Sequence, residues 1–391
     1  MKKEKSYFKK EIKWMIDNYE NHQNEIVNNV SQVEEIYENV EPDDNIYNIL
    51  GTIRFFTPKL MNKIREKRGR NIYQLPDGTK FHVYMNKNDQ LEEISRMISD
   101  YYHLKYYIGD RYGKWCRIRN LEIYYFPLEV NKYFPKKGET EFREEHVNTG
   151  CTFIDSGKIY LWRREEIEKV FIHELIHAWN FDRSIINQED RWFNKYMKEE
   201  TIVKREININ ESYTEWWAEI YYIMLENMQK REREIKRKKN RKSININEEI
   251  VKKVIESVKK QEIYSIIQTA RILKWLGMTH WKELRKSNNK ENNEFRQNTG
   301  VFSYYCMKSL LLHDRENYVK FIHTIQNNKI KIDWDQYGNE YLIYYRNILE
   351  DSINGGEYGK KVNKMIKLLD NKKNKSIHKI INHGGFRMVW L

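Results

Sequence analysis

Long apolar runs are missing from this sequence. None approaches the roughly 18 residues that a membrane-spanning helix requires. The charged start, Met1 to Lys5, leads into no apolar signal core, so neither a membrane span nor a cleaved secretory leader is expected. Cysteine is scarce: Cys116, Cys151 and Cys306 are far apart and odd in number. That excludes a disulfide framework and a Cys-x-x-Cys metal site, and it fits a reducing, intracellular compartment. Proline (5) and glycine (16) are rare among 391 residues, whereas Lys, Asn, Ile and Tyr abound, a usage that reflects an AT-rich genome rather than a fold.

The remaining material is enough for one large domain or two, with ample apolar residues for a core. The net charge is +13, and much of the excess sits in the run Lys230–Lys242. Such a run is ordinarily a solvated helix end or a loop. It also attracts nucleic acid or an acidic protein. No nucleic-acid module accompanies it and no aromatic side chains interleave it, so nucleic-acid binding is not read as the main role.

The informative stretch is Phe171-Ile172-His173-Glu174-Leu175-Ile176-His177-Ala178-Trp179. With about 3.6 residues per turn, His173 and His177 share one helix face, one above the other. Two imidazoles so placed can grip one divalent ion. Glu174, about 100° further round, reaches a water activated by that ion without being a ligand. The surrounding Val170, Phe171, Ile172, Leu175, Ile176, Ala178 and Trp179 predict a buried helix, in which an unpartnered Glu or His is costly. Glu165, Glu166 and Glu168 suit its first turn.

A catalytic zinc site takes three protein ligands and keeps one position open. Glu211, Glu215 and Glu219 recur at i, i+4 and i+8 on a second helix that is apolar nearly all round. Three carboxylates on one stripe of a buried helix require a nearby cation, which the two histidines would supply. The residues alone leave open whether Glu211 or Glu215 is the ligand.

His-Glu-x-x-His followed by Glu215-Trp216-Trp217-Ala218-Glu219 resembles the gluzincin group of zinc metallopeptidases. The metzincin pattern is excluded, because Asn180 and Arg183 stand where it needs Gly and a third His. The gluzincin resemblance implies one zinc ion per chain, held by His173, His177 and Glu215. It gives Glu219 the role of orienting a ligand histidine and Glu174 that of general base. A frame-shifted alternative makes Glu211 the ligand and Glu215 the orienting group; small Ala218 favours the first frame. The segment from His146 to Tyr222 also resembles uncharacterised zincin-like proteins of large DNA viruses, which implies a place in an infected cell or virion, whereas a peptide or protein substrate is implied by the gluzincin resemblance. By the same resemblance, Gly150–Phe153 or Lys158–Trp162 would hold an extended peptide by strand addition. An electrophile for the developing oxyanion is expected from Tyr305, with Tyr304 and His280 as other candidates.

The order of elements predicts an α+β fold: a zincin-like domain with a small mixed sheet, the metal helix and the glutamate helix, then a largely helical C-terminal half closing a cleft. Residues 5–40 read as helix, followed by a charged, irregular stretch to about 75. Strands are expected at Phe81–Met85, Leu121–Phe126, Thr152–Ile154 and Lys158–Trp162, with a helix at 90–107. Beyond 246 the clearest helices are 247–260, 262–276, 302–326 and 339–350. The implied domains are a helical region 1–75, a catalytic core 76–228, a basic linker 229–246 and a helical subdomain 247–391.

Overall fold

A computed structural model describes residues 6–41, 44–86, 91–112, 120–153, 156–182, 203–204, 208–237, 246–285, 295–325, 334–371 and 375–389. Cys116 and residues 238–242 of the basic run lie outside the described residues. The chain divides into a sheet unit, Asn18–Lys132 with Glu144–Phe181, and a helical unit, Met1–Asp17 with Tyr133–Arg143 and Asp182–Leu391. This division cuts across the expected core 76–228: the His-Glu-x-x-His helix belongs to the sheet unit and the glutamate helix to the helical unit. The class is α+β as expected, with a six-stranded sheet and a mostly helical second half.

In the sheet unit the strands β1 (Glu34–Asn39), β2 (Gly69–Gln74), β3 (Lys80–Met85), β4 (Glu122–Tyr125), β5 (Gly150–Phe153) and β6 (Lys158–Leu161) run in the order β1-β2-β3-β4-β6-β5. β3, β4 and β6 are parallel neighbours, whereas β1, β2 and β5 pair antiparallel. Alternation sorts the side chains onto two faces. Phe81 stands on one face against Phe171, at a centroid distance of 5.6 Å, and that face packs against helices α4 (Glu92–Tyr112) and α6 (Ile167–Ala178). On the other face His82, Tyr124 and Tyr160 share a register across β3, β4 and β6 and stack at 4.8 and 5.0 Å. There Tyr84, Phe126, Tyr160 and Trp162 form a core with Ile46, Leu50, Leu60 and Ile64 of α2 (Asn45–Thr52) and α3 (Pro58–Arg65).

Two sequence expectations fail here for one reason. The predicted helix over 5–40 ends early: α1 spans Tyr7–Ser31, and residues 34–39 are strand β1. Glu34-Glu35-Ile36-Tyr37-Glu38 has helical composition, but full pairing with β2 outweighs propensities worth only tenths of a kcal/mol each. The stretch read as irregular holds α2, α3 and β2. Its helices begin at caps: the Asp44 carboxylate accepts from the Ile46 amide at 2.9 Å, and the Thr57 hydroxyl, just before Pro58, accepts from Leu60 at 3.4 Å.

The helical unit contains α7 (Ile209–Arg237), α8 (Ile246–Trp275), a π-helical turn (Phe302–Met307), α9 (Lys308–His313), α10 (Arg315–Ile325), α11 (Trp334–Ile353), α12 (Glu357–Asp370) and α13 (Lys375–Gly384), with a short parallel pair β7 (Val203–Lys204) and β8 (Phe295–Arg296). The two helices expected at 247–260 and 262–276 are one, because no Gly or Pro interrupts them. The expected linker at 229 begins instead as the end of α7, where Lys230 pairs with Glu226 at 3.2 Å, as a solvated helix end would. Among the described residues no helix is long and apolar enough to cross a membrane.

Glu262 ties α8 to its neighbours: its carboxylate meets His313 at 2.8 Å, Arg315 at 2.6 Å and Lys361 at 3.1 Å. Burial alone would raise its pKa, but these donors hold it at about 2, against 4.5 for a free Glu. A depressed carboxyl stabilises the fold fully above its unfolded pKa and loses that contribution as pH falls through the folded one. Glu262→Gln should therefore cost about 2–3 kcal/mol at neutral pH, measured by urea denaturation. The difference from wild type should persist down to pH about 4.5 and shrink towards zero near pH 2.

Candidate metal centre

Helix α6 is fixed at both ends. It starts at Glu166, whose backbone is left-handed (φ 60°, ψ 23°) and makes no side-chain cap. A non-glycine residue there costs on the order of 1 kcal/mol. Lys132 supports it: the Lys132 ammonium lies 2.7 Å from the Glu166 carboxylate, both essentially fully buried, and the Lys132 amide donates to Glu165. Of the glutamates expected in the first turn, Glu168 lies there, whereas Glu165 and Glu166 anchor the turn before it. At the other end Asn180 is left-handed (φ 56°). Its amide donates to the His177 carbonyl at 2.9 Å and the Phe181 amide to Ile176 at 3.0 Å, a Schellman closure.

Between these ends the i, i+4 spacing does what helix geometry predicts. The Nε2 atoms of His173 and His177 are 3.0 Å apart, with the rings edge to face at 75°. His173 is buried, at 6% exposure. Bonds of about 2.0–2.1 Å to a tetrahedral zinc ion place two nitrogen donors roughly 3.3–3.4 Å apart, so the observed separation suits a shared cation with little adjustment. Glu174 is also buried, and its carboxylate is held by strand β5: the Thr152 hydroxyl donates to Oε2 at 2.7 Å. Two residues earlier, on the same face, Gly150 leaves the room that this carboxylate fills. A Cβ on Gly150 would lie 2.9 Å from both Cγ and Oε1 of Glu174 and 2.8 Å from Leu161. Burial, and secondarily the charge of Glu174, push the Cys151 thiol well above its ordinary range, so that side chain is a neutral packing group.

Among the described residues strand β5 is an edge of its sheet, paired only to β6. The Trp162 amide donates to the Thr149 carbonyl, which fixes the alternation: Cys151 and Phe153 bond to β6, while the backbone groups of Gly150 and Thr152 turn to the open side.

In the helical unit Glu211, Glu215 and Glu219 all lie on α7, with Glu215 and Glu219 at 1% and 0% exposure. Glu219 pairs with the buried Lys308 ammonium at 2.6 Å, so a lysine supplies the counter-charge that sequence reasoning assigned to a ligand histidine. Asp182, three residues after Trp179, accepts a hydrogen bond from Thr214 of α7 at 2.9 Å, and both are fully buried. It is an anchor for α7 rather than a cap. The expected oxyanion group Tyr305 is corrected by its surroundings. It is buried in the π-helical turn, stacked on Phe386 at 4.8 Å, and its hydroxyl donates to the Phe386 carbonyl at 2.9 Å. Its proton is committed to the chain itself. His280 lies half-buried beside Thr279 and Glu283, and Tyr304 lies half-buried over Gly300.

Sequence reasoning named Gly150 and Thr152 only as members of a strand. Their roles were readable in part from the alternation of a small residue and a hydroxyl ahead of the metal helix. No protein family, curated protein or solved structure matches this chain.

Gly150→Ala should drive Glu174 off its seat and destabilise the protein by about 1–3 kcal/mol. Gly51→Ala, which meets nothing within 4 Å in helix α2, should instead stabilise by about 0.5–1 kcal/mol. Paired denaturation curves check both signs.

Proposed function

We propose that this protein is a zinc-dependent, gluzincin-like peptidase, with His173 and His177 as metal ligands and Glu174 as general base. The observation that carries the reading is the convergence of two Nε2 atoms at 3.0 Å beside a buried carboxylate. Neutral imidazoles at that distance share a single proton between two lone pairs, whereas a divalent cation satisfies both.

The third ligand is assigned to α7. Glu219, the orienting acid of the expected frame, is engaged by Lys308. This favours the frame with Glu211 as ligand over the expected Glu215, which then sits one turn on as a supporting acid.

Zinc, when bound, supplies Lewis acidity and lowers the pKa of water to roughly 7. Glu174 is the residue that would accept a proton from the attacking water and return it to the departing amine. Thr152 holds Oε2, and Gly150 leaves the room that keeps the carboxylate close to the strand. The outward backbone groups of Gly150 and Thr152 pair with an extended peptide, as an added strand would.

The purified protein should hold about one zinc ion per chain by elemental analysis. His177→Ala should lose it, and Glu211→Gln should weaken it more than Glu215→Gln does. Glu174→Gln should keep the metal and lose at least about a hundredfold of peptide hydrolysis. Undiminished cleavage by metal-loaded Glu174→Gln would refute the mechanism.

A further inference from the structure

One stripe of α8 is polar although the helix is buried. Gln261, Tyr264, Ser265, Gln268 and Arg271 recur at helical spacing, and Gln261, Tyr264 and Gln268 are at most 2% exposed. Buried donors need acceptors, and those here are backbone carbonyls of one segment beyond α13. Arg271 and Gln268 donate to the Gly385 carbonyl, Tyr305 to Phe386 at 2.9 Å, and Gln268 and Tyr264 to Arg387 at 3.1 and 3.3 Å. Gln261 and the Lys308 ammonium meet Met388 at 2.8 and 3.0 Å. Four successive carbonyls are thus read by side chains.

The side chains of the same segment alternate. Phe386, Met388 and Val389 are buried, while Gly385 and Arg387 are exposed. Phe386 enters an aromatic socket, stacked on Tyr305 and edge to face with Phe134 at 4.5 Å. Arg271 lies over the outer ring of that socket, 4.6 Å from the Phe134 centroid. Main-chain bonding combined with pockets for particular side chains is how an extended peptide is recognised.

We infer that the helical unit carries a peptide-binding groove, separate from the zinc reading, which this chain fills in cis with Gly385–Val389. The groove takes a short non-helical segment with an aromatic residue at its first buried position and an unbranched or aliphatic one two residues on. Local tethering gives the cis segment an effective concentration in the millimolar range, so it outcompetes a free copy.

The test uses the full chain and a fluorescent peptide with the sequence of residues 384–389. Phe386→Asp places a charge in the aromatic socket and releases the cis segment while leaving the groove intact. This variant should bind the peptide at least about tenfold more tightly than wild type, and adding Gln268→Leu should remove the gain. Binding by folded Phe386→Asp no tighter than by wild type would overturn the inference. If Phe386→Asp does not fold, trypsin decides with the wild-type chain alone. The Arg387–Met388 bond should be cut at least about tenfold more slowly than in the free peptide, and equal rates would show that no groove holds the segment.

Discussion

The contact on which the candidate site depends is a hydroxyl on a carboxylate: Thr152 of β5 holding Glu174 of α6 at 2.7 Å. A buried carboxylate is expensive unless it is bonded or paired. This bond partly offsets the cost and locks the helix to the sheet edge in one rotation. The two histidines follow from that rotation, since residues 173, 174 and 177 belong to one rigid turn and a half. Gly150 completes the seat by having no side chain to contest it. The strained start at Glu166 and the Schellman end at Asn180 keep the helix from sliding along the strand.

The buried charges of the helical unit are resolved differently. Glu219 is neutralised by a lysine, Lys308, which also donates to the Met388 carbonyl. Glu262 gathers three basic partners from α9, α10 and α12. Each buried acid on α7 and α8 for which a partner is described is thus matched by specific donors rather than left to solvent.

Much of the sheet unit was legible because its signals are local. The period-two strands at 81–85, 121–126 and 158–162 and the histidine spacing all follow from short windows of sequence. What was not legible depended on partners far along the chain. β1 has helical composition and becomes a strand only because β2 accepts it. Tyr305 has the chemistry of an oxyanion donor, yet its hydroxyl is used by a carbonyl 81 residues away. The glutamate stripe was visible at i, i+4, i+8, but which member meets a lysine depends on tertiary packing that periodicity does not encode. The polar stripe of α8 was hidden for the same reason, since its acceptors lie beyond residue 384.

X-ray absorption of the zinc-loaded protein tests the central claim most directly, because it reads the ligands without requiring a substrate. The account predicts a light-atom shell at about 2.0–2.1 Å with the outer scattering of two imidazole rings and no sulfur. A sulfur shell near 2.3 Å, or a spectrum without imidazole scattering, would contradict it.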